Sequence, residues 1–356
     1  MRSLTQTLCI TIALIGITGL RQAAAVPLAD ITFPDTALQT CVTDTAAANG
    51  WTDTLEVITL RCTDARIADL SGIEQLAGLT VLDLSINDIT DTGPIGGLGL
   101  LTELHLEDNA ITDVTSLAVL VNLTSLSLGD NRVADITPLS GLTSLVTLTL
   151  NANAVIDIAP LVTLLNLSSL ALGDNQITDA SPLAVLTNLT TLSLEANTLA
   201  DISFLAGLTA LARLNLDNTG ITDLSALAGL TNLTTLFLSG NGVVNVSPLS
   251  GLTGLDLLFL NANQIADTGP LAPLVALTIL NLSSNAIADI TPLAGLVNMT
   301  NLSLNRNAFS DVSPLTGLTA LTRLDLTGNG GISCIALDDL DMRLGIGVVI
   351  RPSCRN

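Results

Sequence analysis

Between Val57 and Gly331 one phrase recurs every 22 residues with no insertion. Its marker is an asparagine, found at Asn87, Asn109, Asn131, Asn153, Asn175, Asn197, Asn241, Asn263, Asn285, Asn307 and Asn329, while Ala65 and Thr219 fill two further slots in the same register. A strict period of this length predicts a solenoid of about thirteen units, each burying its apolar face only against its neighbours. Hydrophobic residues make up 48% of the chain and charged ones 12%. No stretch beyond residue 25 reaches the roughly 18 consecutive apolar residues of a membrane span, so the hydrophobicity belongs to a core.

Residues 1–25 read as a secretory signal peptide: Arg2, a mostly apolar stretch from Leu8 to Leu20, then Ala23, Ala24 and Ala25 at the expected cleavage. Gln6, Thr7 and Leu8 ahead of Cys9 lack the small residues expected before a lipid-modified cysteine. With no sorting motif or anchor at the C-terminus, a secreted or periplasmic product is expected. The net charge of −21 argues against nucleic acid and anionic membrane as partners.

Four cysteines remain after that leader: Cys41, Cys62, Cys334 and Cys354. About twelve coils stacked at roughly 4.8 Å would separate the first two from the last two by about 60 Å, whereas a disulfide tolerates at most about 7 Å between Cα atoms. The predicted bridges are therefore Cys41–Cys62 and Cys334–Cys354, as an oxidising compartment allows. The same distance rules out a four-cysteine zinc site.

In residues 123–144, "LTSLSLGDNRVADITPLSGLTS", Leu123, Leu126 and Leu128 form a short strand with inward leucines. Val133, Ile136, Leu139 and Leu142 continue the core around the coil, and Ser125 and Ser127 point outward on the concave face. Asn131 follows at the turn, where its amide is expected to bond backbone groups of its own and the next coil. Pro94, Pro138, Pro160, Pro182, Pro248, Pro270, Pro292 and Pro314 share a second register, usually after Ser or Thr. Ser/Thr-Pro predicts an N-cap and first position of a short, convex 3₁₀ turn. An acidic register, from Asp69 and Asp91 to Asp289 and Asp311 with Asn245 in one slot, is expected to bond the free amides of those turns. A calcium ladder is the rival reading, but one isolated carboxylate per coil falls short of the six to eight oxygens calcium takes.

The units resemble the bacterial internalin-type leucine-rich repeat, whose pattern LTxLxLxxNxIxDIxPLxxL stands nearly intact in "LTSLSLGDNRVADITPLSGL". The likeness covers residues 57–331. "ITFPDTALQTCV" and "IADLSGIEQLAGLT" resemble the family's N-terminal cap and first repeat, and "CIALDDLDMRLGIGVVIRPSC" resembles a helix-and-strand C-terminal cap closed by cysteines. The expected organisation is a signal peptide at 1–25, an N-terminal cap at 26–56, repeats at 57–331 and a C-terminal cap at 332–356. The resemblance implies a leucine-rich repeat solenoid with a parallel sheet on its concave face and turns on its convex face.

Catalytic chemistry has little support. His105 is the only histidine, tyrosine is absent, and no nucleophile–base pair or metal-spaced cluster appears, so no enzyme, cofactor or metal is expected. His105, with Glu103, Glu107, Asp83, Asp108 and Asp130 nearby, reads as solvated surface ahead of a weak cation site or an acidic docking patch. Most outward strand positions hold small polar residues, but adjacent repeats place Phe237 and Phe259 at one outward slot, joined by Leu257 and Ile279. Phe204 and Phe309 fall in core registers and Phe33 in the cap. Exposed apolar patches mark interaction sites and aromatic anchors dominate binding energy. The expected function is recognition of a protein or glycan ligand on the concave face by a monomer, with Phe237, Phe259, Leu257 and Ile279 as partner-binding residues. A structural, self-associating envelope role is the alternative.

Overall fold

A computed structural model describes residues 25–354. The signal-peptide expectation falls on residues 1–24, outside the described residues. Fourteen short strands form one open sheet in which every strand lies parallel to the next in chain order, from Thr59–Arg61 to Val349–Ile350. The register is the sequence period itself: Leu104 pairs with Leu126, Leu126 with Leu148 and Leu258 with Leu280. Each coil returns through a 3₁₀ turn such as Thr137–Gly141 or Ser247–Gly251, making a leucine-rich repeat solenoid.

The leucines explain the stacking. Leu126, Leu128, Leu139, Leu142 and Leu148 are wholly buried, and apolar residues from Ile31 to Val349 join one continuous core. A coil alone leaves this stripe open on both sides, so only neighbours or caps can close it. At the start, the helix Thr36–Asn49 lays Leu38, Val42 and Ala46 over the first coil. Asp35 caps that helix, accepting from the Ala37 and Leu38 amides at 2.8 and 3.1 Å, and Gly50 ends it with φ of 71°. The other Asp35 oxygen accepts from the Ala68 amide at 2.9 Å, tying the cap to the first repeat. At the far end, the helix Cys334–Leu344 buries Leu337, Leu340 and Leu344, and Val349–Ile350 completes the sheet edge. Both expected disulfides are present, with Cα separations of 5.8 Å for Cys41–Cys62 and 5.0 Å for Cys334–Cys354.

Two local expectations need correction. The asparagine column bonds its own and the preceding coil, not the next one. Asn131 Nδ2 donates to the Leu128 and Leu106 carbonyls at 3.1 and 2.9 Å, while its Oδ1 accepts from the Ile111 amide at 3.0 Å. Where Ser or Thr precedes the proline, it is the first residue of the 3₁₀ turn and not its N-cap: Ile136 occupies the cap before Thr137 and offers no side-chain bond. The capping oxygen comes from the acidic column, as Asp135 Oδ1 accepts from the Thr137 amide at 2.8 Å. Asn245 does the same for Ser247 at 2.9 Å, which is why an amide serves in that slot.

Just before the ladder residue, each coil turns through a left-handed backbone conformation. Aspartates 108, 130 and 174 adopt it, but so do Ile86 at φ of 59° and Ala152 at 53°. The tight turn aims the backbone at the next coil, where Asp130 N bonds Asn151 O at 2.9 Å.

Candidate functional site: the concave face

Two rows of outward side chains line the concave sheet, one on each side of the buried leucine of every strand. Chemically the face divides into three zones. The N-terminal zone carries Asp83, Glu103 and His105 on neighbouring strands. His105 Nδ1 lies 3.7 Å from Glu107, an ion pair when the imidazole is protonated. Burial pushes the Glu107 carboxyl up, but the hydroxyls of Ser127 and Ser85, its own amide and His105 outweigh it and hold the group below the usual carboxylate range. The middle zone, from Ser125 to Ser193, presents serine, threonine and Ala171.

The C-terminal zone is apolar. Phe237 pairs with Phe259 and Leu257 with Ile279 across adjacent strands. The two phenyl rings stack with centroids 5.0 Å apart and planes inclined at 21°. Strand spacing enforces the approach, since neighbouring strands run about 4.8 Å apart. All four side chains are half-buried, as are most outward residues of the sheet face. Thr235, in the same row as Leu257, is buried to 3% exposure. Phe204, Phe309 and Phe33 are buried.

Polar groups frame the patch. Arg213 pairs in register with Thr235 on one side, and Arg323 pairs with Asn301 beyond Ile279 on the other. Beside Phe237 a depression of about 150 Å³ is lined by Thr191, Ser193, Arg213 and Asn215. Asp217, two residues after Asn215, accepts from the Ser239 amide at 2.5 Å. Burial raises the Asp217 carboxyl, with the nearby Glu195 charge adding to the rise, against hydrogen bonds from Ser239.

A larger depression, of about 410 Å³, lies away from the sheet face and includes Leu199, Ile202, Ile221, Asp201 and Asp223. Its origin is Thr219, the one internal coil without a ladder asparagine. Leu199 N there bonds the Thr219 backbone carbonyl at 3.1 Å instead of a side-chain oxygen. Asn241 Oδ1 accordingly takes the Thr219 and Gly220 amides at 3.0 and 2.8 Å. The turn relaxes outward, leaving Leu199 and Ile221 at 6% exposure where most core positions have none. Asp201 and Asp223 are each engaged by their own turns, through Ser203 and Ser225. Among the described residues, no three His, Cys, Asp or Glu side chains are grouped to hold a metal ion, and no helix is long and apolar enough to cross a membrane.

Coil length, ladder, sheet and capped ends together define a leucine-rich repeat protein. The family described as Leucine Rich repeats (2 copies) matches residues 99–141, 121–163, 165–207, 187–229, 209–252, 231–273 and 275–317, and a single Leucine Rich repeat matches 79–93. An internalin of Listeria monocytogenes superposes with a TM-score of 0.85 at 34% identity, covering 94% of this chain and 99% of that one. A leucine-rich repeat protein of Leptospira interrogans gives 0.69 at 26% identity, covering 78% and 80%. The ectodomain of the receptor kinase GASSHO1/SCHENGEN3 from Arabidopsis thaliana, solved in complex with CASPARIAN STRIP INTEGRITY FACTOR 2, shares the fold with a TM-score of 0.60 at 24% identity, covering 74% and 37%. No curated protein gives a significant match. The chain belongs to the leucine-rich repeat family and is of the internalin type, a fold that serves as a protein-interaction scaffold.

Proposed function

We propose that this chain is a secreted, non-enzymatic recognition protein that binds a protein partner through the C-terminal half of its concave face. The carrying observation is the stacked, half-buried Phe237–Phe259 pair beside Leu257 and Ile279, on a face whose remaining rows are mostly small and polar. A scaffold needs none of these four side chains, since the coils are held by the inward leucines and the asparagine ladder. Aromatic and aliphatic groups anchored centrally and rimmed by polar ones have the composition of a binding hot spot. The rigid sheet also lowers the ordering cost of association. The two bridged caps and the export segment at residues 1–25 fit an oxidising, extracytoplasmic setting.

Affinity capture with the mature protein beside its F237S/F259S variant tests the proposal. A partner retained by the parent and lost by the variant supports it. A partner retained equally by both removes the patch from recognition. Light scattering over a range of concentrations addresses the self-associating alternative: a monomer is expected, and a concentration-dependent oligomer abolished by F237S/F259S would make the patch a subunit contact.

A further inference from the structure

The proposed recognition face carries information about the charge of its partner. Two arginines bracket the apolar patch in one strand row, Arg213 two strands before Leu257 and Arg323 two strands after Ile279. Both are exposed. Neither forms an ion pair among the described residues, where the arginine pairs involve Arg343 and Arg351 in the C-terminal cap.

The carboxylates around the patch, by contrast, are already engaged within the protein. Glu195 accepts from the Ser193 hydroxyl, Asp217 from the Ser239 amide, Asp256 from the Thr278 hydroxyl and Asp325 from the Thr327 amide and hydroxyl. Those bonds hold the carboxylates to their own and neighbouring coils without cancelling their charge, while the two guanidinium groups have no ion-pair partner among the described residues. The chain contains no lysine, so planar guanidinium groups supply all its permanent side-chain cations, and these match carboxylates in a two-pronged geometry. The depression of about 150 Å³ shared by Arg213 and Phe237 has room for one side chain, with aliphatic atoms against the ring and an oxygen at the guanidinium.

Resting on the recognition reading above, we propose that the occupant is an acidic–apolar polypeptide segment, its apolar side chains on the Phe237–Phe259 stack and its carboxylates on Arg213 and Arg323. The two arginines stand five strands apart, about 24 Å at the usual strand spacing, which an extended chain covers in about seven residues. The overall charge of −21 opposes acidic partners at long range. Ions screen that field within about 8 Å at physiological salt, so the contact is decided locally, where the two guanidinium groups are free to receive a carboxylate.

A displayed random heptapeptide library, selected in parallel on the parent, on R213Q/R323Q and on F237S/F259S, tests this. The parent is expected to enrich peptides with Asp or Glu flanking Leu, Ile or Phe. R213Q/R323Q should lose the acidic preference, keep the apolar one, and bind the best parental peptide about tenfold or more weakly, as loss of charge-assisted pairs implies. Apolar peptides with no acidic bias, or equal affinity for parent and R213Q/R323Q, would overturn the charge assignment while leaving the recognition face in place. No enrichment over F237S/F259S would overturn both. Sedimentation showing that the parent self-associates through this face, and R213Q/R323Q does not, would make the occupant a second copy and also overturn the proposal.

Discussion

Asn241 Oδ1 accepts from the backbone amide of Thr219 at 3.0 Å, a bond displaced by two residues from the regular rung. In the regular rung the asparagine takes the amide 20 residues before it, as Asn197 takes Ile177 at 2.9 Å. One threonine in an asparagine column thus shifts a turn and opens the depression beside it. The ladder sets the pitch of the solenoid, and its rungs differ in what they hold.

Asn197→Ala should be among the most damaging single changes. Asn197 is 3% exposed and donates to the Leu172 and Leu194 carbonyls at 2.9 and 3.0 Å. The Leu172 carbonyl keeps its bond from Asn175 Nδ2 at 3.0 Å, but alanine strands the Leu194 carbonyl and the Ile177 amide in the core, at about 1–3 kcal/mol for each buried group left unsatisfied. Chemical denaturation should show a loss of at least about 2 kcal/mol, with amide exchange accelerated first in the coils on either side.

Asp35→Ala should unlatch the N-terminal cap. Its carboxylate bonds the helix start and the Ala68 and Asp69 amides of the first repeat. Although burial pushes its titration up, those backbone bonds pull it lower overall. An N-cap substitution costs about 0.5–2 kcal/mol, and the lost link to the repeat places this one at the upper end. Exchange of the Thr36–Asn49 amides should accelerate well before that of the central coils.

Acid should weaken the convex turns together. Hydroxyl and then amide hydrogen bonds from the residue two positions on hold Asp113, Asp135, Asp179, Asp201, Asp223 and Asp289 below the ordinary carboxylate range. A group whose folded value lies below the unfolded one, about 3.9, stabilises fully above that value and loses the contribution as pH falls through the folded value. The melting temperature should therefore change little from these groups between about pH 5 and 7 and fall below about pH 4.

Relief of backbone strain gives the opposite sign. Ile86 is exposed, β-branched and left-handed at φ of 59°. A left-handed turn costs a non-glycine residue about 1–2 kcal/mol, so Ile86→Gly should raise the melting temperature by a few degrees. A decrease would mean that the Ile86 side chain contributes packing its exposure conceals.

The leucine registers, the asparagine and proline columns and both disulfides were legible because each follows from periodicity or reach. The left-handed column was not, because Ile86, Ala152 and Arg306 hide a conformational requirement that Asp108, Gly240 and Gly328 would have advertised. The second bond of Asp35 depends on where the cap helix docks, which no local pattern encodes. Phe237 and Phe259 were legible as outward residues. The angle at which their rings stack was not, since it depends on rotamers chosen across two strands.

The affinity of the captured partner for the parent and for F237S/F259S tests the central claim most directly. Loss of hot-spot anchors should weaken binding about 30-fold or more, equivalent to about 2 kcal/mol. The far-UV spectrum should be unchanged, with melting lowered only by the stacked pair's contribution of about 0.5–1.5 kcal/mol. Equal affinity in a folded variant would contradict recognition through this face.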